Sequence, residues 1–236
     1  MAGSPFNEAL TSLPYRGEPL PRRHTLTRED VGLSQRGRLT HATLHVVAAK
    51  GYAATTIGDI VERAAVSRQT FYQHFPSKEA CFLAAFDDGI EVVRDQLTVG
   101  LSQAGGDDWR SMVHATLRGY LELLAAEPAA TWSMTVEIVA AGPECVARGI
   151  KSEMVFADLF RAIYAAARRQ EPARPELPAE LFEILVCGIV ERVRRCLYTD
   201  GAEALPTLEP MFAETVFVLF GDRPAAISSP GASPGD

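Results

Sequence analysis

The chain has 236 residues, 47% hydrophobic and 22% charged, with a formal net charge of −7. These are the proportions of a soluble globular protein with a substantial core. No apolar run approaches the ~18 residues of a membrane helix, and the N-terminus carries Pro, Glu and Arg where a signal peptide needs an apolar stretch, so a cytoplasmic protein off the membrane is expected.

Residues 1–26 include Pro5, Pro14, Pro19 and Pro21 and few periodic apolar positions, which reads as an extended or disordered arm. Arg16, Arg22, Arg23 and His24 make its distal half basic, as in arms that lie in a DNA minor groove; a solvated tail with no role fits as well. Thr27 with Asp30 forms a capping box for a helix to Lys50, with Leu33, Leu39, Ala42, Val46 and Ala49 at helical spacings and Gly51 at its end. Arg36 and Arg38 near its start are placed to reach phosphate. His41 and His45 have the i, i+4 spacing of a metal pair, but no carboxylate or thiolate accompanies them. They read as a solvated face, and no metal is expected.

Thr55–Lys78 carries the densest pattern. Thr56 and Asp59 make a second capping box, and Ile57, Ile60, Val61 and Ala64 fall on one apolar face. Ser67 is an N-cap for a following helix in which Phe71 and Phe75 lie one turn apart on the buried side. Its other side shows Arg68, Gln69, Thr70, Tyr72, Gln73 and His74, and Pro76-Ser77-Lys78 ends it and opens the next helix. Two short helices about a tight turn are the helix-turn-helix plan, whose second helix enters the major groove. Arg forks onto guanine, Gln pairs adenine, the Thr methyl meets thymine, and Tyr, His and Lys hold phosphate. On pattern alone, a helical hairpin with a polar outer face fits as well.

The run Thr55-Thr56-Ile57…Ile60, Val66-Ser67-Arg68…Phe71-Tyr72…His74-Phe75…Ser77-Lys78-Glu79 resembles the N-terminal signature of the TetR family of bacterial transcriptional regulators, over about Gln35–Phe86. The resemblance implies a three-helix DNA-binding domain, an all-helical ligand-binding and dimerisation domain, and a homodimer on a palindromic operator. One departure is Ala65, where the family usually has Gly; a left-handed backbone there costs Ala about 1 kcal/mol.

From Lys78 a helix runs to about Ser102 with Phe82, Ala85, Phe86, Gly89, Ile90, Val93 and Leu97 in one stripe, and Ala104-Gly105-Gly106 ends it. A helix shared by two domains is a lever. Further helices are expected over Asp107–Ala126, Pro128–Ala140, Pro143–Gln170, Ala179–Asp200 and Pro206–Phe220, and no β-period or hairpin signal occurs. The fold class is all-α. Cys81, Cys145, Cys187 and Cys196 form no C-x-x-C pair and sit among apolar neighbours, which favours buried, reduced thiols.

Residues 1–80 hold ten Lys/Arg and seven Asp/Glu, a balance of +3; the remainder hold thirteen and twenty-three, −10. A basic head on an acidic body suits local phosphate binding with the body kept off the nucleic acid. In the body, Phe86, Trp109, Met112, Trp132, Met134, Met154 and Tyr164 are the types that line an apolar ligand cavity, although each fills a core as readily. Glu122, Glu137 and Arg118 are charged groups available to orient a ligand. The last two helices carry unusually broad apolar faces. Ile184, Leu185, Gly188, Ile189, Phe212 and Val216 are the expected dimer contacts, making a four-helix interface with a second copy, where the resemblance also places it.

No G-x-S-x-G, H-E-x-x-H, Walker loop or G-x-G-x-x-G occurs, so no catalytic residues, cofactor or enzyme activity are expected. The expected organisation is an arm (1–26), a helix-turn-helix domain (27–80), a ligand-binding and dimerisation domain (81–221) and a disordered tail (222–236). Thr56, Ser67, Arg68, Gln69, Thr70, Tyr72, His74 and Lys78 are the expected DNA contacts. The expected function is a dimeric, ligand-responsive transcriptional regulator, most often a repressor in the family, on double-stranded DNA. The alternatives are a helical small-molecule carrier or enzyme with a vestigial helix-turn-helix, and a regulator answering to a protein partner or thiol oxidation.

Overall fold

The structure is a computed structural model that describes residues 28–103 and 108–222, giving the backbone course only for 28–33 and 99–103. The expected arm, Thr27, the Ala104-Gly105-Gly106 break and the tail beyond 222 lie outside the described residues. Among the described residues every regular element is helical.

Helix α1 (Arg28–Lys50) ends at Gly51, whose φ of 79° places it in the left-handed region. Helix α2 (Ile57–Ala64) starts on a complete capping box: the Asp59 N–H donates to Thr56 Oγ1 at 3.2 Å, and the Thr56 N–H donates to Asp59 Oδ2 at 2.9 Å. Ala65 then turns the chain with φ 51° and ψ 47°, the one non-glycine residue with positive φ among those described. Helix α3 (Arg68–His74) is capped by Ser67 Oγ, which accepts the Thr70 N–H at 3.0 Å. These three helices close on Leu39, Ile60, Phe71 and Phe75, with Cys81 of the next helix beneath.

Helix α4 (Lys78–Gln103) continues unbroken out of this head. It belongs to a second core in which Leu44, Val47 and Tyr52 meet Phe82, Phe86, Ile138 and Cys145, so the head is seated on the body through apolar contact. Helices α5 (Trp109–Ala126), α6 (Pro128–Thr135), α7 (Pro143–Gln170), α8 (Ala179–Thr199) and α9 (Glu209–Leu219) build the body. Its core runs from Trp109 through Leu117, Phe160, Ile163, Phe182 and Val193 to Phe220.

Two of the expected helices are divided. After α6 stops at Thr135, Glu137–Val139 forms a tighter 3-10 turn that buries Ile138 and directs Glu137 towards α1. Before α9, Ala202–Leu208 is 3-10, and Pro206 inside it supplies no N–H to the hydrogen-bond ladder. The cysteine expectation holds for Cys81, Cys145 and Cys196, which are buried, but Cys187 is exposed on α8 with its Sγ 3.6 Å from Glu153 Oε2. The stripe that buries Val186 and Ile189 turns position 187 outward.

Candidate nucleic-acid interface and ligand cavity

Helix α3 buries Phe71 and turns Arg68, Gln69, Tyr72 and Gln73 to solvent, with Tyr72 58% exposed. The Tyr72 ring stands edge-on to Phe71, with centroids 5.5 Å apart, so one side of the ring is anchored while the rest faces solvent beside Arg68 and Gln69. Thr70 and His74 are half-buried at the edges of this face, and the His74 pKa is lowered by burial and then by Arg36. Ser67 and Thr56 are exposed, and each already serves as a helix cap. The Arg68 guanidinium lies against the start of α2, where Nη2 would stand 3.0 Å from a Cβ added at Gly58.

Lys78 is placed differently from its expected partners. Its Nζ donates to the carbonyls of Tyr52 at 2.7 Å and Thr55 at 2.8 Å and sits 4.2 Å from the centre of the Tyr52 ring. Burial lowers its pKa. It clasps the α1–α2 turn to the start of α4. Arg36 and Arg38 of α1 are likewise engaged by other parts of the protein: Arg36 pairs with Asp88 of α4 at 3.0 Å, and Arg38 Nη2 donates to the Ala65 carbonyl at 2.9 Å.

His41 and His45 are half-buried rather than a solvated face, with their Nε2 atoms 3.1 Å apart. Burial, with His41 and then Arg63 adding, brings the His45 pKa down to about 4, and burial followed by Arg63 lowers that of His41. Two neutral imidazoles sharing one proton in a hydrogen bond satisfy each other. Among the described residues, no group of three or more His, Cys, Asp or Glu is arranged to hold a metal ion.

The body contains two adjoining chambers. The larger, about 690 Å³ of empty volume partly open to solvent, lies between Phe86 and Ile90 of α4, Met134 and Thr135 of α6, Ser152 and Glu153 of α7, and Arg194 of α8. The smaller, about 380 Å³ of empty volume that likewise includes open solvent, is bounded by Leu97, Thr116, Leu117, Leu159 and Val186. Tyr120, Phe156 and Val190 line both and form the partition. Burial raises the Tyr120 pKa, with Glu153 adding to it, so its hydroxyl stays protonated as a donor. On the wall of the larger chamber, Arg194 donates through Nε to the Thr135 carbonyl at 3.2 Å and pairs with Glu191 at 2.5 Å.

Of the aromatic and methionine positions expected to meet a ligand, Phe86 and Met134 line the larger chamber. The others lie elsewhere. Trp109 is fully buried against Phe220 at the other end of the body, and Tyr164 packs there too, donating its hydroxyl to the Pro175 carbonyl at 2.6 Å. Met112 is half-buried against the body core, Trp132 meets Tyr198 edge-on, and Met154 is 51% exposed. Residue type alone does not distinguish core from cavity wall; which helical face meets the gap does.

Helices α8 and α9 leave an open apolar groove lined by Leu181, Ile184, Gly188, Met211, Thr215 and Leu219, with Leu185, Ile189 and Phe212 as its floor. Ile184 is 66% exposed, and a Cβ added at Gly188 would meet nothing within 4 Å. Val216 is fully buried within the protomer and has no surface to offer a second copy. Among the described residues no helix is long and apolar enough to cross a membrane.

A capped three-helix head with an exposed polar second helix, joined by one continuous helix to an all-helical body, defines a helix-turn-helix protein of the two-domain type. Residues 39–85 match the family described as "Bacterial regulatory proteins, tetR family". Over those residues the chain is therefore similar to the helix-turn-helix segment of the TetR family. Over 116 residues the chain is 31% identical to the HTH-type transcriptional activator FasR of Mycolicibacterium smegmatis, covering 46% of this chain and 49% of that one. The aligned stretches span about half the length or less of the curated relatives they match.

Two solved structures share the fold at low identity. The fatty acid degradation regulator FadR from Bacillus halodurans superposes with a TM-score of 0.67 at 17% identity, over 77% of this chain and 94% of that one. FadR from Bacillus subtilis, solved in complex with stearoyl-CoA, gives 0.65 at 16% identity, over 76% and 96%.

Proposed function

We propose that the chain is a dimeric DNA-binding transcriptional regulator, a repressor released from a palindromic operator by a small, largely apolar ligand. The observation that carries this reading is the pairing of an exposed α3, bearing Arg68, Gln69 and Tyr72, with a chambered body whose wall includes Phe86, Ile90 and Val93 of the α4 that leaves the head. On this reading residues 27–80 are the DNA-binding domain and 81–221 the ligand-binding and dimerisation domain. Arg68, Gln69 and Thr70 read base edges, and Thr56, Ser67, Tyr72 and His74 approach the phosphates. Lys78 holds the head together instead.

A second copy seated on the α8–α9 groove covers Ile184 and Met211 and spaces two α3 helices about one DNA turn apart, roughly 34 Å. The apolar chambers, with Arg194 and Ser152 among the lining of the larger one, suit an extended chain carrying a polar head. The stearoyl-CoA complex of the Bacillus subtilis regulator makes long-chain acyl compounds the first probes. FasR is an activator; either sign of regulation follows from where an operator lies relative to a promoter.

The test is a selection of random duplex DNA on the full-length protein at two salt concentrations, repeated with Ile184→Asp. An enriched palindrome for the wild type, lost together with the dimer in Ile184→Asp, is the expected result. Binding without enrichment, falling steeply with salt, would reduce the reading to phosphate contact alone. No binding at all would withdraw it.

A further inference from the structure

His41 and His45 of α1 line a cleft of about 290 Å³ of empty volume that is partly open to solvent, apart from both chambers. Its other walls are Ala85 and Asp88 of α4 and Glu127 and Ala130 at the α5–α6 junction. Along the chain no carboxylate accompanies the two histidines; the fold brings two. Asp88 is already engaged by Arg36 at 3.0 Å. Glu127 is not: it is half-buried, its side chain gives no cap to α6, and burial alone raises its pKa. A carboxylate desolvated without an opposing charge is costly, and a cation in the cleft relieves that cost.

The histidine pair has the spacing an ion needs. Both rings turn Nε2 inward, with the two nitrogens 3.1 Å apart and the ring centroids 4.3 Å apart. Imidazole nitrogens bound to one ion at about 2.0–2.1 Å stand about 3.3 Å apart on a tetrahedral ion and about 2.9 Å apart on a square-planar one. The observed separation lies between these, so a modest rotation of each ring aims both lone pairs at one point. One ring exchanges its Nε2–H for the Nδ1–H tautomer, and no net proton is lost. Burial, the first cause lowering both histidine pKa values, keeps the rings neutral and able to coordinate near pH 7. Arg63 of α2 adds to that lowering and opposes a bound cation; Glu127 is the charge that offsets it.

We propose that His41 and His45 form a divalent transition-metal site at the seam between head and body, closed by the carboxylate of Glu127. Two imidazoles select copper(II), nickel, zinc or cobalt over magnesium and calcium, which take oxygen ligands. Among the described residues no third ligand stands in place, so Glu127 turns in on binding and water fills the remaining positions. A site with open positions exchanges its ion, unlike the closed four-ligand sites that hold small folds together. The site goes beyond the regulator reading: it is a second, ionic input distinct from the apolar chambers.

The test is a Co²⁺ titration of the full-length protein, purified without a histidine tag and stripped with a chelator. Visible absorption reports coordination, and Tm reports the stabilisation that a ligand of the folded state confers. The expected result is saturation at one ion per chain with a raised Tm, both abolished in His45→Gln. Glu127→Gln weakens binding about tenfold. Cys187→Ser, which removes the exposed thiol, and His114→Gln, on the body, leave it unchanged. If His45→Gln does not fold, His41→Gln replaces it. No saturable binding, or equal binding in the folded histidine variant, overturns the site, as does binding that is lost only in Cys187→Ser. A wild-type chain that selects no DNA defeats the regulator reading alone, since the titration is read without DNA.

Discussion

The Arg38 guanidinium donates a 2.9 Å hydrogen bond to the carbonyl of Ala65, the residue whose φ of 51° makes the turn between α2 and α3. An alanine at that backbone position is strained, and a side chain from α1 steadies it. Ala65→Gly relieves the Cβ clash but adds freedom to the unfolded chain, for a net gain of about 0.5–1 kcal/mol. Arg38→Ala removes the bond at a loss of about 1 kcal/mol. Urea unfolding of both variants checks the pair; destabilisation by Ala65→Gly would refute the left-handed turn.

Lys78 and Tyr72 divide cleanly by what they touch. Tyr72→Phe should weaken binding to all duplexes alike, and Arg68→Ala should relax preference at particular base positions. Lys78→Met should lower head stability and leave the slope of log affinity against log salt unchanged, because its ammonium is engaged by Tyr52 and Thr55. A slope reduced by about one in Lys78→Met would instead assign it a phosphate.

Gly89 of α4 lets Met134 of α6 lie directly on the helix: an added Cβ would stand 2.5 Å from Met134 Sδ and 2.7 Å from Cε. Gly89→Ala must displace a flexible side-chain end, while alanine favours the helix by roughly 0.5–1 kcal/mol, so stability should change little. Because Met134 lines the larger chamber, the displaced thioether narrows it. Binding of a fluorescent long-chain fatty acid should weaken several-fold, and unaltered binding would place that probe elsewhere.

His45 makes stability depend on pH. Its folded pKa of about 4 lies below the ordinary value of 6.5. Between those values the unfolded chain binds a proton that the folded chain does not, so stability falls as pH drops from 6.5 towards 4 and this contribution levels off below. His45→Gln should flatten the fall in Tm across that window. Identical pH profiles for the variant and wild type would show that His45 is not held neutral.

The sequence by itself determined the local elements and the class. Thr56 with Asp59, and Ser67, fix where α2 and α3 begin, because a cap needs only a side-chain oxygen three residues from its amide. The spacing of Ile60, Ala64, Phe71 and Phe75 likewise decides which faces turn inward and leaves Arg68, Gln69 and Tyr72 outside. The departure at Ala65 was readable too, as a missing glycine at a turn.

The tertiary structure decided which charged and aromatic side chains are used, and for what. Lys78, Arg36 and Arg38 look like phosphate ligands along the chain, yet each meets a carbonyl or carboxylate brought from 23 to 52 residues away. Trp109 and Met134 are equally good candidates for a cavity wall by type, but only the crossing of α4, α6 and α7 leaves space beside Met134 and none beside Trp109. Glu137 gives no local signal at all: its partner is the backbone of Tyr52, 85 residues earlier. Capping and periodicity are short-range and written in adjacent residues. A cavity or a clasp depends on where helices distant in sequence come to rest, and only the packed molecule fixes that.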